Sequence, residues 1–241
     1  MTRLARALPL ILLALSYSTV SQQIADPNPD LWQSPDLGLG SGKTIGAALL
    51  EPFEDTYEVT VREPGKLSPA TLHNCKEYLR VEDAIYDAGP APASNSLNYV
   101  AARCNALHLL QSARPAVHPT FRDFDFRHLA VRNLPPGLAL IIADEEQKNA
   151  DRITRHGGSI LDLEKDVSVR ATRRDEADLA TPEWTATLTV LARADFLNDG
   201  REELLIRRNA AAIGGTYRST RIFLLSRKSS SESLKIERAL P

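Results

Sequence analysis

Tryptophan is scarce. Trp32 and Trp184 are the only two in 241 residues, too few to line an aromatic cleft that holds sugars by stacking. A strong charge of either sign is missing too. Lysine and arginine total 29 against 31 acids, a net of −2, so no electrostatic footprint of a nucleic-acid binder is present. Signatures of catalysis are lacking: there is no GxSxG elbow and no HExxH pair. His73, His108, His118, His128 and His156 are scattered. No loop recurs along the chain, which argues against a full propeller. The SGKT of residues 41–44 is no phosphate loop, since Leu37 stands where that pattern needs its first glycine and no apolar strand precedes it.

Long apolar runs are also absent. The run Leu8–Leu15 follows Arg3 and Arg6 and precedes small polar residues. It is short of the ~20 residues that span a bilayer. A basic start, a short apolar stretch and a small polar end make residues 1–21 an expected signal peptide, the alternative being a retained anchor. Periplasmic or secreted localisation follows from that expectation. Cysteine is limited to Cys75 and Cys104. In an oxidising compartment the two are expected to form a disulfide, the alternative being two buried thiols.

Residues 22–44 are rich in Pro, Gly, Asp and Ser and read as a flexible linker before a single domain over 45–241. In the domain, Tyr57, Val59 and Val61 alternate with polar neighbours, as in a half-buried strand. Ser68-Pro69 reads as a helix start, with Leu72, Cys75 and Leu79 on one face. A second helix, capped by Ser94 or Ser96, places Leu97, Val100, Ala101, Cys104, Leu107 and His108 on one stripe. Phe124 and Phe126 flank Asp125 in a strand or irregular linker. A third helix begins at Asp144, with Gln147 three residues on, and ends at Gly157-Gly158. Strands are expected at 160–163, 167–172, 184–192, 203–208, 220–226 and 234–238. The expected class is α+β: an N-terminal helical hairpin (helical part about 66–157) followed by an antiparallel sheet or meander (about 158–241).

The stretch ADFLNDGREELLI places Asp195, Asn198, Asp199 and Glu203 within nine residues around Gly200. Closely spaced oxygens on a tight turn are what a hard cation takes; in the alternative, the acids simply bond the turn's own backbone. The stretch resembles the calcium loop of FG-GAP or VCBS-type elements. Asp195 matches the first ligand, Asp199 the fifth position, Gly200 the turn glycine and Glu203 the ninth. Leu197 stands where that loop has an oxygen donor, with Asn198 one place late. The resemblance implies a calcium ion held by Asp195, Asn198, Asp199 and Glu203.

After the loop, Arg207, Arg208, Arg218 and Arg221 cluster around Tyr217 in a hairpin. A basic surface with one aromatic suits an acidic protein partner or an anionic glycan; the alternative is a solvated strand face. Export, a disulfide, one calcium-type loop and a β-rich second half resemble the inhibitors and immunity proteins that bacteria hold against secreted, envelope-attacking effectors. The expectation is a periplasmic binding protein without catalytic residues, its partner a protein of the envelope and not a nucleic acid or membrane. The alternatives are an envelope hydrolase whose acids meet only in the fold, and a calcium-stabilised scaffold.

Overall fold

Most of the chain is β. The computed structural model describes residues 32–39 and 43–241; the expected signal peptide and most of the expected linker lie outside the described residues. In chain order the elements are β1 (Trp32–Gln33), α1 (Ile45–Leu50), β2 (Pro52–Glu63), β3 (Lys66–Asn74), α2 (Cys75–Val81), β4 (Ile85–Asp87), α3 (Ala91–Ser112), α4 (Asp144–Arg155), α5 (Ile160–Leu163), β5 (Ser168–Arg173), β6 (Glu176–Ala180), β7 (Trp184–Ala194), β8 (Glu203–Ala212), β9 (Arg218–Ser226) and β10 (Lys235–Leu240).

Strands β5 to β10 form an antiparallel meander in sequence order, with β1 paired to β7 beyond the end of β6. A smaller antiparallel sheet has the order β3-β2-β4. The α+β expectation is therefore corrected. No helical hairpin precedes the sheet as a separate first half, because a three-stranded sheet occupies residues 52–87 and only α3 is a long helix.

The misreading began at Ser68-Pro69. Gly65 adopts φ 79° in the turn after Pro64, which folds residues 66–74 back along β2 as a hairpin. Pro69 lies opposite Thr60, tolerated because β3 is an edge strand. The alternation of β2 buries Val59 and Val61, and Leu72 joins them from β3. The helix starts only at Cys75, where Asn74 Oδ1 accepts the Glu77 N–H at 3.0 Å. Residues 160–163, expected as a strand, form a short helical turn. There Asp162 Oδ2 accepts the Ser159 N–H at 2.7 Å and so caps the turn.

Two sides of α3 are buried rather than one stripe. Leu97, Ala101, Cys104 and Leu107 face the small sheet and α2. Ala102, Ala106, Leu109 and Leu110 face Leu191, Leu205, Ile222 and Leu224 of the large sheet. The helix is a wedge between two sheets, and His108 is exposed rather than part of the stripe. Cys75 and Cys104 form a disulfide with Cα atoms 4.9 Å apart, pinning α2 to α3 within that buried cluster. Among the described residues no helix is long and apolar enough to cross a membrane.

The opposite face of the large sheet carries the main core. Leu188, Val190, Leu204, Ile206, Phe223 and Leu225 pack under Phe121, Phe124, Phe126, Leu134 and Leu138. Phe124 contacts Phe121 and Phe126 edge to face; Phe121 and Phe124 lie in irregular chain and Phe126 opens a short 3-10 turn, none of them in a strand.

Candidate functional site

The loop between β7 and β8 closes on its own backbone. Asp195 Oδ1 accepts the Asp199 N–H at 3.1 Å, and Oδ2 accepts that of Gly200 at 2.9 Å. Glu203 Oε2 takes the N–H groups of Phe196 and Leu197 at 2.8 and 3.3 Å. Asp199 Oδ1 accepts from Arg201 at 2.9 Å. Asn198 and Gly200 have φ of 58° and 84°, the left-handed region that Asn and Gly tolerate best. Asp195 and Glu203 are buried, while Leu197, Asn198 and Asp199 face solvent.

The carboxylates thus aim at amides inside the turn. Among the described residues, no group of three acidic, His or Cys side chains converges as a metal site. This donor set does not fit the calcium centre that the resemblance implies. Burial pushes the Glu203 carboxyl up to about 7, against the opposing pull of its two amide donors, and the charges of Asp199 and Asp195 add to the rise.

The outside of the loop clamps the chain leaving α3. Arg114 and Asp195 exchange both backbone hydrogen bonds at 3.0 and 2.8 Å. The Gly200 carbonyl accepts from Val117 and His118, and Glu202 donates its N–H to the His118 carbonyl. Glu202 Oε2 takes the Phe121 N–H at 2.5 Å. The turn therefore fixes where the chain crosses from one sheet face to the other.

Strand alternation divides the expected arginine patch. Arg207 and Arg218 lie on the α3 face of the sheet, while Arg208 and Arg221, opposite each other in register, lie on the other. Arg207 is nearly buried, donating to Asp36 Oδ2 at 2.7 Å with its guanidinium 5.3 Å from the Tyr99 ring centre. Arg208 is only 2% exposed. It donates to the Leu138 and Ala139 carbonyls and to Ser219 Oγ, and it lies over Phe223. Burial lowers its pKa to about 10. Tyr217, Arg218 and Arg221 remain exposed at the β8–β9 hairpin.

Sequence reasoning missed a cleft. Helix α3 covers only one end of its sheet face, and the other end is open over a volume of about 760 Å³. Its floor is a polar row across five strands: Arg170, Asp178, Thr187, Asn209 and Thr220 stand side by side in register. Arg170 Nη2 and Thr187 Oγ1 each donate to Asp178 at 3.0 Å. Asn95 and Tyr99 of α3 form the wall, and Arg218 also lines the cleft. A signal was present in TATLT, where Thr185, Thr187 and Thr189 share one face of β7 and mark it as polar.

Neither protein-family models nor curated proteins nor solved structures match the chain. The geometry alone must therefore carry the functional reading. Among the described residues Asp178 is the only carboxylate that lines the cleft, and it is ion-paired. Asp125 and His128 lie together outside that cleft. Arg127, not a histidine, holds Asp125 through a charged hydrogen bond and keeps its pKa down at about 2, while His128 Nδ1 stands 3.9 Å off.

Proposed function

We propose that the protein is an exported binding protein, an inhibitor or immunity protein that engages a secreted envelope-directed effector through the tip of the β8–β9 hairpin. The observation that carries this reading is the tip itself. Ile213 and Tyr217 are 55% and 42% exposed, and exposed Arg218 and Arg221 follow at once. An aromatic and an aliphatic side chain beside guanidinium groups are the usual anchors of a protein interface. The tip is also held in place, since Ile213 donates its N–H to the Glu183 carbonyl at 2.7 Å and Ala212 to that of Tyr217 at 3.1 Å. Preorganised anchors lose little entropy on docking.

The Cys75–Cys104 bridge supports an oxidising compartment. A hydrolase would need an acid and a base facing one cleft, and in the cleft beside α3 the ion-paired Asp178 does not supply that pair. The calcium ion implied by the loop resemblance has no part in this reading, since the loop's acids serve its own amides.

The test is inhibition. Purified protein is added to envelope extracts in which peptidoglycan hydrolysis is followed, and complexes are isolated by size exclusion. A one-to-one complex and a fall in hydrolysis are expected. Both should be lost in the double variant Ile213→Asp, Tyr217→Ala, whose fold is checked by circular dichroism. A double variant that inhibits as well as the parent overturns the assignment of the tip.

A further inference from the structure

The open cleft beside α3 shares Arg218 with the hairpin tip, but its lining has a distinct chemistry. Asn95, Thr185, Asn209 and Thr220 all line it. The Asn209 Oδ1 atom is buried without a hydrogen-bond partner. A carbonyl oxygen so placed is costly unless a donor reaches it. Turning the amide about its last torsion presents that oxygen to the cleft, and the amide orientation is free to follow a ligand because no hydrogen bond anchors the oxygen where it is.

The charges are equally specific. Arg170 and Asp178 neutralise each other at 3.0 Å, which also fixes Thr187 through its bond to Asp178. That leaves Arg218, which makes no ion pair among the described residues. The cleft thus offers one uncompensated guanidinium, a preferred partner for carboxylate, amid amides and hydroxyls. Apart from Tyr99 on the wall, its apolar lining is small or sunk: Ala180, Ala186, Ala210, Ala211 and the buried Leu179. No subsite there takes a large apolar side chain.

We infer that this cleft binds a polyhydroxylated carboxylate of one or two sugar rings, a hexuronate being the simplest member. Sugar hydroxyls donate to Asn209 and accept from Asn95 and the threonines, and the carboxylate pairs with Arg218. Recognition runs through hydrogen bonds and one charge, with Tyr99 the one aromatic ring on the wall. The volume of about 760 Å³ lies within the ordinary range for small-molecule sites.

Calorimetric titration of the full exported chain with digalacturonate tests this, set against a neutral disaccharide, inorganic phosphate and a diglutamate peptide. Digalacturonate is expected to bind roughly tenfold or more tighter than each of the other three. Asn209→Ala and Arg218→Glu should each weaken it by about tenfold or more, with unchanged circular dichroism. Thr220→Val is a second floor variant in case Asn209→Ala does not fold. The tip variant Ile213→Asp, Tyr217→Ala should bind the sugar normally, which separates this site from the protein-partner reading. Absence of digalacturonate binding overturns the inference. So does equal binding of the neutral sugar, phosphate or peptide, or full affinity in the floor and Arg218 variants.

Discussion

Glu203 accepts the backbone N–H of Phe196, seven residues earlier, at 2.8 Å. A strand's first side chain thus reaches back to hold the loop that precedes it. The carboxyl sits between two demands: its amide donors favour the charge, and its burial opposes it.

Burial wins, since the folded pKa is raised to about 7. A raised carboxyl binds its proton more tightly in the folded than in the unfolded chain. Its contribution is therefore fully present below the unfolded value of ~4.5 and is lost as pH rises through 7. Urea unfolding followed from pH 4 to 8 should show Glu203→Gln gaining on the parent across that window by about 1 to 3 kcal/mol. Parallel profiles would mean that Glu203 titrates as an ordinary surface acid.

Asp195 satisfies two loop amides, those of Asp199 and Gly200. Asp195→Ala leaves both without their partner and should cost about 2 to 3 kcal/mol, read as a lower melting temperature. A chelator added to the parent protein should leave the melting temperature unchanged. A fall on chelation, restored by calcium, would show that a cation and not the backbone holds the turn.

The disulfide closes a sequence separation of 29 residues. In the chain-entropy account a loop of that size is worth about 3 to 4 kcal/mol. Thiol titration of the denatured, unreduced protein should find no free thiol, and the Cys75→Ser, Cys104→Ser pair should unfold at correspondingly lower urea. Two reactive thiols would remove the bridge from the stability account.

Arg208 ties the segment at Leu138 and Ala139 to the sheet from beneath. Arg208→Lys keeps the charge but loses the planar fork, and should cost about 2 to 4 kcal/mol. Arg221→Lys, at an exposed position opposite it in register, should fall within about 0.5 kcal/mol of the parent. Chemical denaturation of the two side by side checks the pair, and equal losses would refute the buried anchoring role of Arg208.

Periodicity carried a good part of the fold. The period-2 pattern marked β2 and most of the later meander, because half-buried strands must alternate. The stop at Gly157-Gly158 was equally legible: Gly157 has φ 73°, and Gly158 returns its N–H to the Ile153 carbonyl at 3.0 Å. Residues 66–74 misled for a physical reason. A serine–proline start is a local preference, and pairing with β2 outweighed it. The stripe on α3 misled in a related way, because a helix lodged between two sheets buries two sides and blurs its own periodicity.

The candidate sites divide along the same line. That ADFLNDGREELLI would form a tight, acid-lined turn was written in the sequence, since Asn and Gly tolerate left-handed backbone and adjacent acids reach nearby amides. The pairing of Cys75 with Cys104 was equally open to reading from their number. Only the tertiary structure decided that Asp195 and Glu203 of the turn face inward, that strand register splits Arg207 from Arg208, and that Arg170, Asp178, Thr187, Asn209 and Thr220 meet in one row. Those outcomes depend on which strands lie side by side and on how far α3 reaches across them. Both are set by long-range packing, to which no short stretch of chain is sensitive.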